Sequence, residues 1–250
     1  MRTTTTKLSG SPSYPGAIDE LLTAIRQGED ERVADAASLM RSTVDGGGLV
    51  FVFGSGHSSV LVEEAFHRAG GLIPVYPVLH DFISPHTTPK ISGKLERLEG
   101  VAPILFARAG ARKGDMMWIA SNSGINAASI EMALECRKAG VSTVALTSLT
   151  HSRSATSRHS SGKKLFECCD IVIDNHCPPG DALVEIAGVR VAAGSTIANA
   201  FVYNWALARA CDAWAAAGKT LPIYKSANVA GGDQHNETLE APYRARIPQL

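Results

Sequence analysis

The chain has 250 residues, 45% of them hydrophobic, enough for one full α/β core. Lys plus Arg and Asp plus Glu number 24 each, so no net field steers it to nucleic acid or an anionic membrane. No apolar run approaches the ~18 residues of a membrane span, and Met1 to Lys7 carry no apolar stretch of the kind that follows the charged end of a signal peptide. The five cysteines, 136, 168, 169, 177 and 211, form neither a paired framework nor a CxxC pattern. They read as reduced thiols of a cytoplasmic protein.

Residues 1–14 are polar. Ile18, Leu21, Leu22, Ile25, Val33, Ala36, Ala37 and Met40 recur at helical spacing, with a break at Gln27-Gly28 that divides the segment into two helices. Residues 1–45 thus read as a helical N-terminal segment before a main domain over 46–220. Leu49-Val-Phe-Val-Phe53 is an unbroken apolar run, the mark of a parallel strand buried on both faces. It stops at Gly54-Ser55-Gly56, and residues 57–69 return to helical spacing. Strand, glycine turn and helix together aim backbone N–H groups and a positive helix end at an anion, with phosphate as the expected guest. The motif lacks the third glycine of a dinucleotide fingerprint and the Gly-Lys-Ser/Thr ending of a P-loop.

Residues 72–76 form a short strand that Pro74 places near a sheet edge. Residues 77–93, with His80 and His86, are long enough without structure to be a lid. The spacing predicts one helix over 94–109, whose Glu96, Arg97 and Glu99 read as a solvated face. A second strand over 115–120 then runs into Ser121-Asn122-Ser123-Gly124-Ile125-Asn126 and a helix over 127–138, repeating the first design. Neither turn holds a lysine, so neutral donors carry most of the phosphate. Strands at 141–146 and 170–174 come next, with Thr147-Ser148 ending the first of them. The basic stretch 151–164 between them is either a solvated loop or an Arg158/His159 cluster that meets an anion or a partner subunit. A further short strand falls in 182–191, and Gly194-Ser195-Thr196 opens a long apolar helix over 197–217, with Ser195 or Thr196 as its cap. The tail 221–250 shows no strand or helix period and is expected to pack on the site or on a partner.

Strands alternating with helices give a three-layer αβα sandwich around a five-stranded parallel sheet. Ligands of such sheets sit beyond the carboxyl ends of the strands. Ser55, Gly56, His57, Ser121, Asn122, Ser123, Gly124, Asn126, Ser195 and Thr196 all fall there and are the binding candidates.

Gly-Ser-Gly-His, Ser-Asn-Ser-Gly and the late Gly-Ser-Thr resemble the sugar isomerase (SIS) domain. The longer strings Glu63-Glu-Ala-Phe-His-Arg-Ala-Gly-Gly71, Ser157-Arg-His-Ser-Ser-Gly-Lys163 and Asn228-Val-Ala-Gly-Gly-Asp-Gln-His-Asn236 resemble an uncharacterised bacterial branch of it. The resemblance implies a flavodoxin-like fold, a homodimer, no cofactor and a phosphosugar ligand. By it Ser121, Ser123 and Asn126 hold the phosphate, helped by Ser55 and by Ser195 or Thr196. The late helix is also similar to that of N-acetylmuramic acid 6-phosphate etherase, a lyase of this family. The separate helix-turn-helix of sugar-sensing SIS repressors is not among the motifs of this sequence.

Isomerisation and elimination across C2–C3 share a first step, removal of the proton beside the open-chain carbonyl by a base, for which a carboxylate of raised pKa is suited. Glu64 lies seven residues after His57 and so on its face of the helix, while Glu63 points about 100° away. In the etherase a catalytic Glu lies at nearly this offset, one residue further on. Glu185, His57, His86 and His235 are candidates for the second acid or base. No spacing resembles a metal site, so catalysis is expected to be metal-free. The reading favoured is a lyase that dehydrates N-acetylglucosamine 6-phosphate or a similar 2-acetamido sugar phosphate. An aldose–ketose isomerase and a non-catalytic sugar-phosphate sensor are the alternatives.

Overall fold

The computed structural model describes residues 13–85 and 89–250. Two helices open it, α1 (Tyr14–Gly28) and α2 (Asp30–Asp45), divided at Gly28-Glu29 as the sequence predicts. Ser13 starts α1 by accepting the Gly16 N–H at 3.4 Å, and Pro15 sits in the first turn, where a missing N–H costs nothing. Asp30 and Glu31 lie at the positive end of α2.

Five parallel strands come after them: β1 (Val50–Gly54), β2 (Val75–Val78), β3 (Met116–Ala120), β4 (Ser142–Thr147) and β5 (Ile171–Asp174), ordered β2-β1-β3-β4-β5. That is the flavodoxin-like order. Side chains alternate between two cores. Val50, Val52, Met116, Trp118, Val144 and Ile173 face α1, α2 and the long helix α8 (Ser195–Ala216). Phe51, Phe53, Met117, Ile119 and Ala145 face α5 (Val101–Ala109) and α6 (Ala127–Ala139). A sheet buried on both faces explains why the strands read as unbroken apolar runs. Trp118 meets Tyr203 of α8 edge-on, with ring centroids 5.4 Å apart, at the centre of the first core. The N-terminal helices belong to that same core.

Three local expectations change between residues 57 and 164. The helix over 57–69 is a 3₁₀ turn, Gly56–Ser59, and one short helix α3 (Val60–Ala65), after which Phe66 is extended. The helix over 94–109 is two, α4 (Pro89–Leu95) and α5, separated by a link in which Gly100 has φ 93°. Pro103 forces the division: inside one continuous helix its ring would strike the preceding turn, whereas in the first turn of α5 it is harmless. The basic stretch begins as α7 (Leu149–Ser154) before its loop.

The strand in 182–191 is a separate antiparallel hairpin, β6 (Ala182–Ile186) with β7 (Val189–Ala193); the fifth strand of the main sheet is β2, at the edge where Pro74 put it. The tail carries a helix, α9 (Gly232–Glu240), although it lacks an apolar period. It packs on its own chain. Tyr224 and Gly71 bond through their backbones, and Arg246 grips Asp115, just before β3, through both carboxylate oxygens at 3.0 and 2.6 Å. None of the helices among the described residues is long and apolar enough to cross a membrane.

Candidate functional site

Connections leave β1 toward β2 on one side and β3 toward β4 on the other, so the strand order reverses between β1 and β3. Gly54 pairs with Ala120 at the carboxyl ends of those strands, and residues 55–59 and 121–126 therefore emerge side by side. This is the switch-point crevice of the fold. Gly54 is required there: a Cβ would lie 2.3 Å from the Ser58 carbonyl, which folds back over it. Gly124 has φ 60°, and a Cβ on it would meet Thr147 Oγ1 and Ser152 Oγ at 2.9 Å.

The second loop is braced from beneath. Ser121 Oγ accepts the Gly124 N–H at 3.2 Å, and the Ser148 N–H donates to the Asn122 carbonyl at 3.0 Å. Asn175 donates to the side-chain oxygens of both Asn122, at 3.0 Å, and Asn199 of α8, at 2.9 Å. Asn122, Thr147 and Ser148 thus hold the loop's shape from within. At the start of α6, Asn126 makes no capping bond with its side chain; its Oδ1 accepts from Arg158 Nη1 at 2.8 Å. The Arg158 N–H also donates to the Ile125 carbonyl at 2.8 Å, so the basic loop lies over the α6 N-terminus. Arg158 is solvent-exposed, yet the loop that carries it is tied to the start of α6 by these two bonds.

The carboxylate at this crevice is Glu96. Its Oε2 accepts from Ser55 Oγ at 3.1 Å and would lie 3.4 Å from a Cβ on Gly56. Asn126 also hydrogen-bonds the Glu96 side chain, and the Glu96 backbone carbonyl accepts the Ala128 N–H at 3.0 Å. Burial pushes its pKa above the ordinary glutamate value, while Ser55, Arg97, Arg158 and Asn126 pull the other way. The reading of Glu96 as solvated surface is therefore corrected: the link forced by Gly100 and Pro103 turns it inward.

Glu64 faces elsewhere. It is ion-paired with Arg68 and accepts from Asn204 of α8 at 3.1 Å, and Glu63 beside it is exposed. Glu185 is exposed on the β6–β7 hairpin, opposite Arg190, and not on a strand of the main sheet. His235 bonds the Ile223 carbonyl at 3.0 Å inside the tail. His57 is exposed on the 3₁₀ turn, at the crevice mouth beside Gly56. His86 lies outside the described residues. Ser195 opens α8, but Asp181 already occupies that helix end: its carboxylate accepts from Ser195 N at 2.8 Å and from Ser195 Oγ at 2.6 Å. Ser195 and Thr196 thus stand at a helix end neutralised by the chain itself.

The SIS domain model matches residues 13–148. The chain belongs to the SIS domain family. It is 39% identical over 237 residues to a UPF0309 protein of Oceanobacillus iheyensis, covering 94% of this chain and 96% of that one. Two solved structures share its fold at low identity. A phosphoheptose isomerase from Francisella tularensis gives a TM-score of 0.54 at 15% identity, over 80% of this chain and 95% of its own. One from Neisseria gonorrhoeae gives 0.51 at 16%, over 77% and 92%.

Within this SIS crevice the sequence missed Glu96 and underweighted Arg158. The usable signal for Glu96 was Pro103, which forbids the helix that would have pointed it to solvent. Away from the crevice, Glu99, Glu131 and His159 bring ligand atoms within 4.8 Å of one another, a grouping with no sequence motif.

Proposed function

We propose that this SIS protein takes the proton from the carbon beside the carbonyl of an open-chain phosphosugar, with Glu96 as the base. The observation that carries the proposal is Glu96 itself, half-buried with a raised pKa and bonded to Ser55 between the two Ser/Gly loops. A carboxylate so placed stays basic enough to accept a carbon-bound proton near neutral pH. The phosphate lies against residues 121–126 and the start of α6, with Ser123 and backbone N–H groups as neutral donors and Arg158 as cation. His57, at the crevice mouth, is the group available to assist ring opening.

The reaction favoured is aldose–ketose isomerisation. One carboxylate can carry the proton from C2 to C1 along one face of a planar enediol, so a single base suffices. Dehydration needs a further acid at the C3 oxygen, whereas Glu64 and His235 have other partners and Glu63 and Glu185 are exposed on other elements. The names of the two solved structures of like fold agree with this choice of reaction class.

Incubation with hexose 6-phosphates, N-acetylglucosamine 6-phosphate among them, in D₂O tests the reading by NMR and mass spectrometry. Deuterium beside the carbonyl together with a new ketose is expected. Loss of water from the amino sugar would make the protein a dehydratase instead. Binding without any exchange would make it a sensor. A homodimer belongs to the same proposal, supported by an apolar strip of Leu22, Ile197, Phe201 and Trp205 along α1 and α8. Light scattering should give twice the 26.4 kDa of one chain.

A further inference from the structure

Glu131 lies in the second turn of α6 and is only 8% exposed. One oxygen, Oε1, accepts the Gly100 N–H at 2.7 Å; the other, Oε2, is buried with no hydrogen-bond partner. A carboxylate oxygen taken from water and left unmet is costly for a fold to hold. Two more potential ligands stand beside it. Glu99 comes from the link between α4 and α5, and His159 from the loop after α7, its Nε2 3.9 Å from Glu99 Oε2.

Both neighbours are held in place by second partners. Ser160 donates to Glu99 from its backbone N–H at 2.6 Å and from its hydroxyl at 2.9 Å. The His159 Nδ1 lies 2.7 Å from Ser161 Oγ. The Ser161 N–H also donates to Nδ1 at 3.2 Å, so the ring proton rests on Nε2, facing Glu99; a cation at Nε2 requires that proton to move to Nδ1, where Ser161 Oγ accepts it. This is how a metal-binding histidine is commonly oriented.

We propose that Glu99, Glu131 and His159 form a binding site for a divalent transition-metal cation of the zinc class, Glu131 Oε2 and His159 Nε2 being its inner ligands. Two carboxylates and a neutral imidazole balance a doubly charged ion, and the imidazole favours zinc over calcium or magnesium. Tetrahedral bonds of about 2.0–2.2 Å set donors about 3.4 Å apart. The His159–Glu99 pair at 3.9 Å is close to that. Water completes the coordination on the open side. The ion joins three separate stretches of chain and pins the loop that carries Arg158, the neighbour of His159, over the start of α6. Its effect on phosphosugar affinity through Arg158 rests on the proposed function; the metal site does not.

The test is made on the full chain without any sugar. After EDTA treatment the protein is titrated with Co²⁺, read by its visible d–d absorption, and then with competing Zn²⁺. One equivalent bound per chain, with no thiolate-to-cobalt charge-transfer band, is expected. Glu131→Gln and His159→Gln should each weaken it 100-fold or more. Glu131→Gln keeps the acceptor for Gly100, and circular dichroism shows that it is folded. The melting temperature of the parent chain, but not of Glu131→Gln, should rise on adding Zn²⁺. Failure to bind at micromolar metal would overturn the proposal. So would a thiolate band, or equal binding by the folded Glu131→Gln.

Discussion

Two sets of glutamates flank the first glycine turn, and the structure treats them in opposite ways. Glu63 and Glu64 come just after the motif in sequence, yet Glu64 is spent on Arg68 and Asn204 and Glu63 faces water. Glu96 lies some forty residues further on, yet it touches Ser55 and is withdrawn from solvent. Closeness to a motif along the chain is therefore a poor guide to which carboxylate lies against it. Desolvation is the better one, because it raises the pKa of a carboxylate into the range where it can act as a base.

The sharpest way to break this contrast is to remove each carboxylate in turn. Glu96→Gln should lower deuterium exchange by roughly 10²–10⁴-fold with phosphosugar binding retained, in line with the usual contribution of a general base. Glu64→Gln should stay within a few-fold of the parent. The reverse pattern would return the site to α3. Next in size is Arg158→Ala, which removes a charged donor worth about 1.5–3 kcal/mol. Phosphosugar affinity measured by calorimetry should fall about 10–100-fold, and the loss should shrink in high salt.

A smaller effect sharpens the comparison through pH. The folded protein keeps a proton on Glu96 to higher pH than the unfolded chain does. That contribution to stability is complete below the ordinary value of 4.5 and is lost as pH rises through the folded pKa. Glu96→Gln mimics the neutral acid, so it should melt higher than the parent at pH 7 and at the same temperature near pH 4. An equal difference at both pH values would mean that Glu96 is not held by burial. The smallest effect concerns the two helix ends. Asp181→Asn should cost about 0.5–1 kcal/mol of stability by weakening the charge at the start of α8, a few degrees or less in melting temperature. Phosphosugar affinity should not change, since that helix end is no part of the crevice proposed here.

The sheet, its two cores and both Ser/Gly loops were legible because their signals are local. Apolar runs such as 49–53 and glycine turns such as 54–56 need only a few residues to declare themselves. The misplaced strand at 182–191 has the composition of a strand, and composition does not say which sheet it joins. The facing of Glu64 failed for a geometric reason. Residues Gly56–Ser59 wind at three per turn rather than 3.6, which turns the start of α3 by about 20° more for each residue of the 3₁₀ segment. Glu96 was hidden because its direction depends on a break set by Gly100 and Pro103, and its partners Ser55 and Asn126 lie far off along the chain. α9 has a polar, glycine-containing sequence and is held by contacts that no period announces.

The grip of Arg246 on Asp115 has a consequence for the order of assembly. Asp115 is only 3% exposed, and its carboxylate also accepts the Leu49 N–H at 2.8 Å and the Arg112 N–H at 2.9 Å, joining the starts of β1 and β3. Its counter-charge is encoded 131 residues later. At a synthesis rate of about 5–20 residues per second, roughly 7–26 s separate the two on the ribosome. During that interval the strands, the crevice loops and Glu96 have all been made, while the far end of the sheet still holds an acid without its arginine. The pair that closes the end of the sheet remote from the crevice therefore forms only after the strands and the crevice loops have been made.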